Sequence, residues 1–211
     1  GILENAEAAP RPTGVQVGMG TRIIGTYRNM QQGPLRQTFH PLDIALTGPG
    51  YFAISLPNGR IGYTRAGTFQ RDPDTGNIST PDGNSLEAAI SIPPNIATEN
   101  VQISGSGLIT VQDPANPAAT INIGQLEIFT FPNESGLEAI GDNLLIETPG
   151  SGNRLAVVDT NGRFKQSFIE GSNVKAVEEL TKLIDAQRAY ELNTRVISTE
   201  DKILEATNNI K

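Results

Sequence analysis

The last part of the chain, from Asn173 to Lys211, contains neither glycine nor proline, although the whole sequence has 22 glycines and 14 prolines. Glycine and proline are the residues that most strongly interrupt helices. The segment therefore predicts a single helix about 55–60 Å long at 1.5 Å per residue. Ser172 or Asn173 is placed to cap its first turn. A helix of this length is hard to fit inside a small compact domain.

Apolar residues recur along this predicted helix with a spacing of seven. One row contains Leu183, Tyr190, Ile197 and Leu204, and a second contains Ala189, Val196, Ile203 and Ile210. Together the rows make a long apolar stripe, which predicts packing against another helix of this chain or of a neighbour. The alternative is a terminal helix folded back on the preceding domain. The candidate interface residues are Leu180, Leu183, Ile184, Tyr190, Val196, Ile197, Ile203, Leu204 and Ile210.

Between Val15 and Phe168 the sequence has short runs of β-branched and aromatic residues separated by turn residues. Such spacing predicts antiparallel strands, because parallel βαβ units need long helical crossovers. The clearest hairpin is Tyr51–Leu56, then Pro57-Asn58-Gly59, then Arg60–Thr64, where Asn-Gly predicts a type I′ turn. The predicted fold class is mainly β, with one or more antiparallel β domains and one long C-terminal α-helix.

Three regions follow from these patterns. Residues 1–13 carry Pro10 and Pro12 and show no hydrophobic period, which predicts an extended arm or linker. Residues 14–171 form the β-rich domain, and residues 172–211 form the C-terminal helix.

Composition excludes several classes of function. The chain has no cysteine, so thiolate metal sites and cysteine nucleophiles are absent. Sixteen basic and twenty-three acidic residues give a formal net charge of −7, and no basic cluster favours a nucleic acid as partner. The sequence has no apolar run of about 18 residues, the length that would predict a membrane span. The first residues also lack the pattern of a secretory signal peptide.

Motifs that suggest chemistry are incomplete. Gly18-Met19-Gly20 lacks the third glycine of a dinucleotide loop, and the segment from Asp72 to Gly83 lacks the closing glutamate of a calcium loop. His40 is the only histidine, so it has no second imidazole with which to bind a metal ion. Asp142 and Glu147 are candidate paired carboxylates only by their residue type. We therefore expect no enzyme activity, no catalytic residues, no cofactor and no metal site.

Several ordered stretches identify a family. The sequence resembles the flagellar rod and hook family, and these stretches span nearly the whole chain. They are 13–20 (TGVQVGMG), 32–35 (QGPL), 42–52 (LDIALTGPGYF), 56–59 (LPNG), 63–69 (YTRAGTF), 136–144 (GLEAIGDNL), 171–174 (GSNV) and 186–193 (AQRAYELN). The stretch from Gly14 to Gly20 is most similar to the distal rod branch of that family.

The resemblance implies an architecture. Family members begin with a long helix and an Asn-rich segment that are not found in this sequence, so we expect the sequence to start within the stretch that links that helix to the β domain. The missing helix would pair with the C-terminal helix to form the inner core of a hollow tube. The β domain would form the outer layer, and the subunits would repeat by a screw operation that does not close.

The resemblance also implies a function, which is that of a structural subunit of the bacterial flagellar distal rod. The subunit would self-assemble into the helical drive shaft that transmits torque from motor to hook. Implied partners are further copies of the chain, proximal rod and hook proteins, and surrounding ring proteins that act as a bushing. The implied location is the flagellar basal body at the level of the periplasm and outer membrane, after type III export. A hook or proximal rod subunit and a β-rich ligand-binding module remain alternatives.

Overall fold

The computed structural model describes residues 28–112 and 119–208. The predicted arm (1–13), Gly18-Met19-Gly20 and Ile210 lie outside these residues. The described part contains sixteen short strands, two single 3₁₀ turns and one α-helix. The strands are β1 (Leu35–Gln37), β2 (Ile44–Leu46), β3 (Phe52–Ser55), β4 (Ile61–Thr64), β5 (Gln70–Arg71), β6 (Ile78–Ser79), β7 (Ser85–Leu86), β8 (Val101–Ile103), β9 (Leu108–Gln112), β10 (Thr120–Gln125), β11 (Phe129–Thr130), β12 (Glu138–Gly141), β13 (Leu144–Ile146), β14 (Leu155–Ala156), β15 (Phe164–Gln166) and β16 (Phe168–Glu170). The helix α1 spans Ala176–Asn208.

Every strand pair in the described residues is antiparallel. The largest sheet has seven strands in the order β12-β13-β4-β3-β7-β6-β5, and a second sheet has the order β10-β9-β8. Two-stranded pairs join β1 to β16, β2 to β15 and β11 to β14. The pairs β1–β16 and β2–β15 connect the beginning of the described chain to the end of the β domain. The predicted fold class, mainly antiparallel β with one long C-terminal helix, is confirmed.

The hairpin between β3 and β4 forms as predicted, but its turn differs. Ser55 pairs with Ile61, the amide of Gly59 donates to the Leu56 carbonyl, and the amide of Leu56 donates to the Arg60 carbonyl. Gly59 has φ of 76°, whereas Asn58 is not among the residues with positive φ, so the predicted type I′ turn is wrong. Pro57 supplies the reason, because its fixed negative φ suits the second position of a type I turn followed by a left-handed glycine.

Two hydrophobic clusters stabilise the β domain. The larger, the main core, packs side chains from most strands, and the buried Phe52 ring lies edge-on to Phe69 at 5.1 Å. The smaller, the aromatic core, lies on the other side of the β3–β4 hairpin, where Tyr63 meets Phe131 edge-on at 4.7 Å. Side chains of β3 alternate between the two clusters, with Phe52 and Ile54 in the main core and Ala53 in the aromatic core, because successive side chains of a strand point to opposite faces.

The helix α1 begins three residues later than the cap prediction implies. The Ser172 hydroxyl accepts a hydrogen bond from the amide of Val174, which lies before the helix. The side chain of Asn173 donates to the carbonyls of Asn29 and Gln31, which lie before β1. Neither residue therefore caps α1 in the predicted way, because Asn173 is held by the β domain. Within the described ranges no helix is long and apolar enough to cross a membrane.

Candidate assembly interface

The surface of α1 is exposed along its whole described length. Every side chain from Val174 to Leu204 is exposed, so the β domain does not cover any face of the helix. The predicted interface residues Leu180, Leu183, Ile184, Tyr190, Val196, Ile197, Ile203 and Leu204 all lie here, and their exposed fractions run from 46% for Ile184 to 75% for Tyr190. Such large apolar side chains are stabilised by a partner surface that removes them from water.

The apolar side chains of α1 do not all point the same way. With about 100° per residue, Leu183, Tyr190, Ile197 and Leu204 follow one another with a drift of only about 20° per step. Leu180 and Ile184 instead lie about 40° from each other, and they point about 160° and about 120° away from Val196. The stripe predicted from spacing is therefore continuous for the row that begins at Leu183, while the first turns of the helix add a second apolar direction. Val177 and Leu192 are two further exposed apolar side chains that the spacing argument left out.

The helix leaves the β domain beside the point where the described chain begins. The strand pair β1–β16 places Leu35 opposite Glu170, and the amide of Gly171 donates to the Pro34 carbonyl at 2.9 Å. A Cβ atom on Gly33 would lie 1.9 Å from the carbonyl oxygen of Gly171, so the two backbones touch and only glycine fits. We call the five residues Gln31, Gly33, Arg65, Glu170 and Asn173 the junction.

The junction is held by polar contacts. The Glu170 carboxylate accepts the amide of Gly33 at 2.8 Å and the Arg65 guanidinium at 2.7 Å. The side-chain amide of Asn173 donates to the carbonyl of Gln31 at 2.8 Å. Arg65 follows β4 directly, so these contacts tie the middle of the seven-stranded sheet to the start of α1.

Next to the junction, Tyr51 is almost fully buried. Burial first, and then the nearby Glu134 carboxylate, raise the pKa of the Tyr51 phenol to about 12. The phenol therefore stays neutral at physiological pH, and its hydroxyl lies 3.7 Å from the sulfur of Met30.

The residues considered for chemistry serve local structure instead. The Asp72 carboxylate accepts the amide of Asp74 at 2.8 Å, and this hydrogen bond lowers the pKa of Asp72. His40 is half exposed and lies 3.6 Å from Asp43. Asp142 and Glu147 line two different clefts, so they are not brought together as a pair.

One open cleft lies beside β4 and is lined by Arg60, Tyr63, Glu147 and Arg154 among others. Arg154 is already paired with Glu87 at 2.6 Å and lies over the Phe129 ring at 4.7 Å. Arg154 therefore has partners within the protein.

The junction residues were not predicted as functional residues. Gly33, Arg65 and Asn173 lie in the stretches 32–35, 63–69 and 171–174, which carried the family resemblance, whereas Gln31 and Glu170 lie just outside them. Those stretches are far apart in sequence, and the pairing of β1 with β16 and the Arg65–Glu170 contact bring them together.

Two family models match the chain. The model described as flagellar basal body rod FlgEFG protein C-terminal matches residues 165–210, and the model described as flagellar hook protein FlgE/F/G D1 domain matches residues 45–111. The first covers β16, the junction residues Glu170 and Asn173, and α1, and the second covers most of the seven-stranded sheet.

Curated relatives match over most of the chain. The flagellar basal-body rod protein FlgG of Caulobacter vibrioides is 46% identical over 203 residues, which cover 95% of this chain and 76% of the relative. The protein of the same name from Buchnera aphidicola subsp. Schizaphis graminum is 40% identical, covering 94% of this chain and 76% of the relative. That of Borreliella burgdorferi is 40% identical, covering 95% and 76%. The chain therefore belongs to the family of flagellar basal-body rod proteins that includes FlgG.

Proposed function

We propose that this protein is a structural subunit of the flagellar distal rod, in which copies of the chain assemble helically into the shaft that transmits torque from motor to hook. The observation that carries the proposal is the exposure of α1. Its apolar side chains from Leu180 to Leu204 are uncovered, although the β domain has its own closed cores.

The free energy available from burying the apolar face of α1 favours packing against a partner helix. Helices in water gain little from propensity alone and are stabilised mainly by packing of an apolar face. Each large aliphatic side chain that becomes fully buried contributes about 1.5–3 kcal/mol. Several such side chains on one helix supply enough free energy for association, after the entropy of bringing chains together is subtracted.

The proposed occupant of this face is an N-terminal helix of the kind that family members carry, together with α1 of neighbouring copies. The position of the junction favours it, because the chain segment at Asn29 lies beside Asn173, three residues before α1 begins. The chain segment that leads into the β domain from its N-terminal side therefore reaches the domain next to the start of α1. The two apolar directions of α1 allow one face to meet the helix of the same subunit and another to meet a neighbour.

The β domain then forms the outer layer, and the proposed regions are the arm (1–13), the β domain (14–171) and the helix of the axial core (172–211). Further proposed partners are the proximal rod and hook proteins and the surrounding ring proteins. The proposed location is the periplasmic and outer-membrane level of the basal body, reached by type III export. We propose no catalytic role.

The hook alternative has one supporting observation, because a matched domain model is named for the hook and rod proteins together. The rod is favoured over it by relatives named as basal-body rod proteins at 40–46% identity over nearly the whole chain.

Assembly of two forms of the protein tests this function. The chain of 211 residues is compared with the same chain extended at its N-terminus by the corresponding segment of the Caulobacter vibrioides relative. We expect the extended form to sediment as large assemblies that appear as rods by electron microscopy, and the shorter form to sediment as a small species. An extended form that stays monomeric at high concentration would contradict the proposal.

A further inference from the structure

The β domain and α1 are joined by a very short connection. Asn173 is still bonded to the β domain, and α1 begins at Ala176, so only Val174 and Lys175 separate them. The amide of Val174 donates to the Ser172 hydroxyl at 3.1 Å, which restricts the backbone even within this short stretch. The direction of the helix is therefore set by whatever fixes Glu170 to Asn173.

The contacts at this point are stronger than ordinary surface contacts. The Arg65–Glu170 pair is charge-assisted, and its side chains are only 24% and 13% exposed, so salt and water screen it weakly. Arg65 also donates to the Gly50 carbonyl at 2.8 Å, and Glu170 uses its second oxygen for the amide of Gly33. One carboxylate thus joins the incoming chain segment, the central sheet and the outgoing strand.

Asn173 makes the second contact that attaches the short connection before α1 to the β domain. Its side-chain amide donates to the Gln31 carbonyl at 2.8 Å and lies 3.3 Å from the Asn29 carbonyl. These bonds hold Asn173, three residues before α1 begins, against the incoming segment. A shorter side chain could not span this gap.

We propose that Arg65, Glu170 and Asn173 act as positioning residues that fix the angle at which α1 leaves the β domain. This angle is a property of the chain itself. Its consequence for the rod rests on the proposed function, because the outer domain and the axial helix of each subunit can repeat regularly only if they keep one relative orientation.

A distance measurement across the junction tests the angle directly. The chain has no cysteine, so Asp82→Cys in an exposed turn and Thr181→Cys on α1 give one unique pair of spin labels. We expect the labelled parent chain to give a narrow distance distribution by pulsed electron paramagnetic resonance. Glu170→Gln and, separately, Asn173→Ala should broaden it at least about twofold.

A matched control separates positioning from general stability. Arg154→Gln breaks the Glu87–Arg154 pair, which has a similar length of 2.6 Å and lies in the β domain away from α1. The control should leave the distance distribution narrow. Near-ultraviolet circular dichroism must show that each variant keeps the folded β domain, and Asn173→Ala serves if Glu170→Gln does not fold. Distributions that stay narrow in both folded junction variants would overturn the proposal.

Hydrogen exchange gives a second readout at the same place. The amide of Gly33 donates to Glu170, so it should exchange roughly tenfold faster in Glu170→Gln, the change expected when one charge-assisted hydrogen bond is weakened. Arg154→Gln should leave this rate unchanged. An unchanged Gly33 rate in Glu170→Gln would show that the carboxylate does not hold the incoming segment.

Assembly of the N-terminally extended protein tests the importance of the α1 angle separately from the proposed rod function, on which that importance rests. In the N-terminally extended protein, Glu170→Gln should still form tubes, but with a variable twist by electron microscopy, whereas Arg154→Gln should form regular rods. If the extended parent forms no rods, the proposed function fails, while the distance distributions still decide the role of the junction. Regular rods from Glu170→Gln would overturn the proposed importance of the angle.

Discussion

Some glycines in this protein are required where two backbones touch. Gly67 lies in the turn after β4, and its carbonyl accepts the amide of Ile44 at 2.8 Å. A Cβ atom there would lie 1.7 Å from the carbonyl oxygen of Ile44, which is part of β2 and cannot rotate away. Gly33 has the same relation to Gly171. Both glycines lie in stretches that carry the family resemblance, and a backbone contact this close leaves no room for a side chain.

Replacement of Gly67 by alanine is expected to destabilise the β domain by about 3 kcal/mol or more, because the added methyl group must displace a buried strand. Gly62→Ala is the matched control in β4, since its Cβ would meet only the flexible Leu56 side chain at 3.4 Å. Urea unfolding followed by circular dichroism measures both variants. A loss of stability in Gly67→Ala no larger than that in Gly62→Ala would contradict this account of the contact.

At the scale of elements, the helix and the hairpin were predictable because their signals are local. A segment free of glycine and proline allows little other than a helix, and the observed α1 lies within its predicted range. The turn at Asn58 was mispredicted because Pro57 overrides the preference of Asn-Gly. The cap was mispredicted because Asn173 bonds to a segment more than a hundred residues away. Long-range contacts of this kind leave no periodic pattern in the sequence.

The interface residues on α1 give a prediction at the same scale. In the N-terminally extended protein, Leu183→Asp and Ile197→Asp should each raise the concentration needed for assembly by at least about 100-fold, because a carboxylate would be buried without a partner. The β domain should keep its unfolding midpoint, since these side chains are exposed in the single chain. Sedimentation velocity across a concentration series measures the change.

Ser198→Asp is the control for these variants. Ser198 follows Ile197 directly but points about 100° away from it, outside the row that begins at Leu183 and in line with Leu180 about five turns earlier. It introduces the same charge on the same helix without entering the face that this row forms. Equal effects from Ser198→Asp and Ile197→Asp would show that the added charge, and not the face, determines assembly.

At the scale of the whole molecule, buried side chains stabilise the β domain but not α1. The β domain closes two hydrophobic cores with its own residues, and the pairs β1–β16 and β2–β15 fasten its two ends together. From Ala176 to Leu204, no side chain of α1 belongs to either core. The same division explains why the sequence predicted the kind of interface but not the junction. The apolar face of α1 is visible in the spacing of its residues. The junction residues, in contrast, come together only after the sheets have formed.

A chain that ends at Lys175 should therefore keep the stability of the β domain. We expect its thermal midpoint to lie within about 2 °C of that of the full chain, because no buried contact is lost. A chain that ends at Ser167 is the comparison, since it also loses β16 together with Glu170 and its bonds to Gly33 and Arg65. The chain that ends at Ser167 should unfold at a clearly lower temperature. Circular dichroism at a wavelength dominated by strands measures the thermal midpoint of each chain. If the chain ending at Lys175 also unfolded about 10 °C lower, α1 would have to pack on the β domain in solution, and its apolar face would not be available to a partner helix.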